Sequence, residues 1–100
     1  MSPAGERPAL LGDAAAAAEL ARTPRWARVG KAIERTWRFA DFRAAMAFVN
    51  GVADLAEREG HHPDIAIRYG EVTLALWTHA AGGLTTRDFD LARKLDALSP

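Results

Sequence analysis

The chain has no cysteine. That excludes disulfides, thiolate-held metals and a thiol nucleophile. It has no surplus of either charge, since thirteen Lys and Arg balance thirteen Asp and Glu. Non-specific nucleic-acid binding needs clustered excess cations, so no nucleic-acid partner is expected. No apolar run approaches the ~18 residues of a membrane span, so no membrane partner is expected either. Neither glycine-rich nucleotide fingerprint is present. The opening Met1-Ser2-Pro3-Ala4-Gly5-Glu6-Arg7-Pro8 does not read as a signal peptide. The Ala9-Leu10-Leu11-Gly12 stretch is too short for its apolar core, and Asp13 interrupts it. The expectation is a cytoplasmic protein. With 100 residues it should form one domain. A chain of this size buries only about two thirds of its unfolded surface, and self-association would add to a thin margin.

What is present is concentrated. All three histidines fall in one segment, His61-His62-Pro63 followed by Thr78-His79. Histidine is the side chain whose ordinary pKa, ~6.5, lets it donate and accept protons near neutral pH. Carboxylates stand at both ends of the segment, Glu57 before it and Asp88 after it.

The elements around the segment follow from periodicity. Residues 1–12, with two prolines and two glycines, read as a flexible arm, leaving 13–100 as the single folded domain. Asp13 is a candidate cap for a short alanine-rich helix through Ala21, which Thr23-Pro24 ends. A short strand is expected over Trp26 to Val29 and a second over Ile33 to Phe39. In the latter, Ile33, Arg35, Trp37 and Phe39 share a face. Asp41 should cap a long helix to Glu59 with an apolar stripe of Phe42, Ala45, Met46, Val49, Val52, Ala53 and Ala56. Gly60 suits its end and Pro63 prevents continuation. Ile65 to Tyr69 and Val72 to Thr78 should form a hairpin about a Gly70-Glu71 turn, with Val72, Leu74 and Leu76 on one face. Thr85 should cap a last helix carrying Leu91, Ala92, Leu95 and Leu98 inward. The order is α-β-β-α-β-β-α. It implies an α+β fold with a four-stranded antiparallel sheet and helices packed on one face. Trp37, Phe39 and Trp77 suggest more apolar surface than the monomer hides, and hence an oligomer.

Three readings of His61, His62 and His79 compete. They could be structural residues at element ends, where a helix C-terminus favours positive charge. They could hold a metal, although neighbouring histidines diverge from a turn and the helical i, i+4 spacing is absent. They could be acid/base groups needing no metal. Glu57 is expected at the edge of the helix's apolar face, leaning toward the sheet. Asp88 lies on the inward row of the last helix. It could cap that helix with Thr85 or, being an inward acid in need of a partner, reach His79. Thr78-His79-Ala80-Ala81-Gly82-Gly83 supplies small residues that let a ligand approach the backbone.

Together, Glu57-x-x-x-His61-His62-Pro63, Tyr69, Val72, Thr78-His79, Gly83-Leu84-Thr85 and Asp88-x-x-x-Ala92 resemble the signature of the pterin-4a-carbinolamine dehydratases. The resemblance runs from about Trp26 to Ala92. It implies removal of water from 4a-hydroxytetrahydrobiopterin to give quinonoid dihydrobiopterin, which regenerates the cofactor of aromatic amino-acid hydroxylases. It also implies a small α+β protein without cofactor or metal, assembled as a dimer or tetramer, with a pterin as its ligand. Carried over, His61, His62 and His79 form the catalytic set. His61 and His79 would transfer protons, and His62 would mainly hold the pterin. Glu57 and Asp88 would support them. His61 to Pro63 and Thr78, His79, Ala80 and Ala81 would wall the binding site. The chain departs from the pattern in its proline-rich arm, its alanine run, and the small residues Ala66 and Ala81. Some family members also act as dimerisation partners of a transcription factor, so a non-catalytic pterin-binding or assembly role is the alternative.

Overall fold

The computed structural model describes residues 9–98, and the expected arm up to residue 8 lies outside them. The elements are α1 (Asp13–Ala21), β1 (Ala27–Val29), β2 (Ala32–Arg38), α2 (Phe42–Glu59), β3 (Asp64–Arg68), β4 (Glu71–Leu76) and α3 (Thr86–Asp96). A short 3₁₀ turn, His79–Ala81, separates β4 from α3. All strand pairings are antiparallel, in the order β1-β2-β4-β3. The fold is the expected α+β arrangement.

Strand alternation separates two faces. Ile33, Arg35 and Trp37 of β2 lie opposite Leu76, Leu74 and Val72 of β4. Their apolar members are buried with Ala16, Phe48, Val52, Leu55, Phe89, Leu91 and Leu95 from the three helices. Arg35 belongs to this face because its guanidinium pairs with Asp96 and lies over the Trp37 ring. Asp96 also accepts from the Trp26 indole at 2.9 Å, which ties α3 to the residue before β1. The open face carries Glu34, Thr36 and Arg38 opposite Ala75, Thr73 and Glu71.

Asp41 caps α2 as expected, accepting from the Ala44 amide at 2.8 Å. The buried stripe of that helix is rotated from the expected one. Ala45, Phe48, Val52, Leu55 and Ala56 are buried, whereas Phe42 and Ala53 are exposed. The sheet selected the face carrying the bulkier Phe48 and Leu55, because burying more apolar area is the larger gain. Asp13 is not a cap. Gly12 occupies that position without a side-chain bond, and Asp13 is the first helical residue, 3.3 Å from Arg28. There the helix dipole favours a carboxylate without any capping bond. Leu11 donates its amide to the Leu84 carbonyl at 2.8 Å and packs against the core, so docking begins before α1.

Three further expectations change. Trp37 is buried and Phe39 packs against the core, so neither is a source of exposed apolar surface. Leu98 lies beyond α3 and is exposed. The second hairpin turns at Tyr69-Gly70 rather than Gly70-Glu71, since Glu71 already belongs to β4. Tyr69 itself takes the left-handed conformation, φ 54°. Gly70 is needed for close approach: a Cβ there would lie 2.6 Å from the Phe39 carbonyl oxygen.

Candidate active site

The site is built where two chain reversals meet. α2 ends at Gly60, whose φ of 65° is a left-handed cap, and the amides of Gly60 and His61 both turn back to the Ala56 carbonyl. This delivers His61-His62-Pro63 to the mouth of the sheet just before β3. On the other side, the chain after β4 closes a tight loop. The Thr78 amide donates to the Gly83 carbonyl at 2.9 Å, with Gly82 left-handed between them, φ 75°. The loop sets Thr78 beside Thr85, the cap of α3.

Asp88 is the hub of the junction. It is fully buried, and each of its oxygens is engaged. Oδ1 lies 2.6 Å from His61 Nε2. Oδ2 accepts from the Thr78 hydroxyl and the Thr85 amide, both at 2.9 Å. The capping box foreseen for Thr85 and Asp88 is therefore present, and the same carboxylate also holds a histidine. The hydroxyl directions follow. Thr78 has given its proton to Asp88, so the 2.7 Å contact between Thr78 and Thr85 hydroxyls is donated by Thr85. Thr85 in turn accepts from the Arg87 amide at 3.2 Å. An ionised carboxylate only accepts hydrogen bonds. Against an ionised Asp88, His61 would donate from Nε2 and a neutral ring would keep Nδ1 as its acceptor nitrogen.

This pairing corrects the expectation that Asp88 reaches His79. The His79 ring instead stacks on the Trp77 indole, centroids 3.7 Å apart and planes at 21°. Glu57 also departs from expectation. It does not lean toward the sheet; its side chain is 77% exposed and meets His62 Nε2 at 2.5 Å. The rotation of the α2 stripe explains this, because turning Phe48 and Leu55 inward carries Glu57 outward.

A cleft of about 400 Å³ joins these groups. Gly60, His61, His62, Pro63, Asp64, Trp77, Thr78, His79, Ala80 and Arg87 line it. Of the expected wall residues, only Ala81 is absent from the lining. Arg87, Trp77, Asp64 and Gly60 were not foreseen. Arg87 had a readable signal: a cation in the first turn of a helix opposes the dipole and calls for another role. It donates to the Gly60 carbonyl at 2.9 Å, fastening the start of α3 to the end of α2. Alternation places Trp77 on the face of Thr73 and Ala75, but gives no sign that it walls a cleft. A neighbouring hollow shares His61 and Arg87 but is otherwise lined largely by ions already paired with each other, Lys94 with Glu59 and Arg93 with Asp90. Among the described residues no group of three or more His, Asp or Glu is placed to hold a metal ion. No described helix is long and apolar enough to cross a membrane.

The arrangement can move protons: three imidazoles face one cleft, each restrained differently. The chain as a whole is similar to known proteins. A protein of Thermomicrobium roseum, provisionally named a pterin-4-alpha-carbinolamine dehydratase, is 57% identical over 91% of this chain and 98% of its own length. One of Acidobacterium capsulatum with the same provisional name is 61% identical over 79% of this chain and 86% of its own. A solved transcriptional coactivator/pterin dehydratase from Brucella melitensis superposes with a TM-score of 0.84 at 33% identity, over 90% of this chain and 98% of that one. A pterin dehydratase-like protein identified as a RuBisCO assembly factor in the alpha-carboxysome superposes with a TM-score of 0.62 at 26% identity, over 73% of this chain and 87% of that one. The family model described as pterin 4 alpha carbinolamine dehydratase matches residues 9–98, the whole of the fold and cleft described above, and the chain belongs to that family.

Proposed function

We propose that this protein removes water from a pterin 4a-carbinolamine, 4a-hydroxytetrahydrobiopterin or a close analogue, by histidine acid/base catalysis, and so serves tetrahydrobiopterin recycling. The observation that carries the reading is the buried Asp88–His61 pair at the wall of a cleft that also presents His62 and His79. In the reaction the C4a–O bond breaks and the electron pair of the adjacent ring nitrogen forms the new C=N bond. The departing oxygen gains a proton and leaves as water, while the nitrogen loses one. His61, its Nε2–H fixed on Asp88, offers Nδ1 to collect the proton from nitrogen. His79, exposed and able to reload from solvent, protonates the leaving oxygen. His62, held by Glu57, contacts the pterin. Each well-placed acid or base typically contributes ~10²–10⁴-fold. The donor set suits this chemistry better than metal-assisted dehydration, for there is no cysteine and no clustered ligand set among the described residues.

The direct test is dehydration of a 4a-carbinolamine, generated in situ, by the purified protein. Turnover that survives chelator treatment is expected. Loss on chelation with recovery on adding zinc would replace the metal-free mechanism. The assembly-factor neighbour favours a second reading, a non-catalytic partner protein; a folded protein with no turnover on any 4a-carbinolamine would select it. Self-association is part of the proposal, now resting on exposed Phe42, Ile65 and Tyr69 and the unpaired edge of β3 rather than on Trp37 and Phe39. Light scattering should give a dimer or tetramer at micromolar concentration, and a monomer mass refutes it.

A further inference from the structure

The three histidines are restrained in three ways. His61 is held by a buried carboxylate and His62 by an exposed one. Among the described residues the His79 ring has no hydrogen-bond partner, and what touches it is the Trp77 indole at 3.7 Å. That indole also carries the Lys31 ammonium from the β1–β2 turn, 4.1 Å from the ring centroid. Trp77 is half-buried and lines the cleft next to the imidazole it stacks on.

The difference matters for a proton donor. A hydrogen-bonded partner occupies one of the two ring nitrogens, as Asp88 does at His61. Stacking fixes the plane of the imidazole and occupies neither, so one nitrogen can exchange with water while the other delivers a proton. An exposed histidine on a short turn otherwise samples several rotamers. A donor works only within hydrogen-bond reach of the atom it protonates, and a displacement of about 1 Å can cost ~10²-fold. Resting on the dehydratase reading, we infer that Trp77, braced by Lys31, is the positioning residue for His79: it acts on the reaction by holding that ring, with both nitrogens free, against the cleft.

The test compares Trp77→Leu with Trp77→Phe, alone and combined with His79→Ala. Trp77→Leu should lower kcat about ten- to a hundredfold with KM moved less than about threefold. Trp77→Phe, which keeps a flat ring, should recover most of the loss. In the His79→Ala background Trp77→Leu should add nothing, because the indole acts through the missing ring. By NMR, the ring protons of His79 should show an upfield ring-current shift in the wild type that Trp77→Leu abolishes. Multiplying losses in the double variant, or a rise in KM alone, would overturn the positioning role. Absence of the ring-current shift in the wild type would overturn the stack itself, whatever the turnover. A wild type with the shift but without turnover would instead sink the dehydratase reading.

Discussion

His61 and His79 face the same cleft from opposite kinds of surroundings. His61 is about one tenth exposed, bonded to a carboxylate that is itself fully buried and triply engaged. His79 is exposed, stands on a 3₁₀ turn, and leans on an aromatic ring. The first is part of the architecture. Asp88 closes the capping box of α3, ties it to the end of β4 through Thr78, and holds one imidazole with the same two oxygens. The second is attached to the architecture without supporting it. A cleft built this way can keep one histidine in a set protonation geometry while the other exchanges freely with solvent. It follows that stability and activity should separate on the His79 side and stay coupled on the Asp88 side.

The largest effect should come from removing both rings. His61→Ala/His79→Ala should lose at least about 10³-fold in kcat, and the protein should remain folded. Turnover close to wild type in this variant would remove both from the reaction. Asp88→Asn should come next and strike both properties. The new amide has one acceptor oxygen where Asp88 has two, and a buried group left unsatisfied costs about 1–3 kcal/mol. A lowered Tm together with reduced kcat is expected. Reduced kcat with unchanged Tm would mean that Asp88 serves the histidine alone and the cap is dispensable. His79→Ala sharpens the contrast: activity falls, but stability should stay within about 0.5 kcal/mol, since the side chain is exposed. A substantial loss of Tm here would break the distinction between the two sides. The smallest effect is expected at Glu57→Gln. Its bond to His62 lies in solvent, where such pairs are worth at most about 1 kcal/mol. The variant should keep its stability and show a modest rise in KM, whereas a collapse of kcat would assign Glu57 a direct part in proton transfer.

The candidate site was legible in the sequence as a set of neighbouring residues but not as a set of pairs. Glu57, His61, His62, Pro63, Thr78, His79 and Asp88 do converge. Sequence order, however, pointed Asp88 toward His79, nine positions away, whereas it bonds to His61, 27 positions away. The stripe of α2 and the direction of Glu57 depend on one choice of helix face. Apolar residues on α2 are distributed widely enough that spacing alone allowed a stripe centred toward Phe42 and Ala53. Choosing it also aimed Glu57 at the sheet. Trp37 and Phe39 were offered as exposed because a strand's alternation gives two faces and does not say how completely helices cover one.

By itself the sequence determined the order of the elements and several of their ends. Asp41 and Thr85 mark helix starts through local oxygen-to-amide bonds, Gly60 ends α2 because left-handed backbone suits glycine, and the period of two in Val72, Leu74 and Leu76 marks β4. These are interactions within a few residues, so local order specifies them. It also determined which chemical groups are available, by placing every histidine between two carboxylates and omitting cysteine. Only the tertiary structure decided which helix face met the sheet, which acid became buried, and which histidine each partner restrained. Those outcomes depend on distances between segments remote in the chain. They were fixed when Phe48 and Leu55 turned inward, Arg87 fastened α3 to the end of α2, and Asp88 met His61, Thr78 and Thr85.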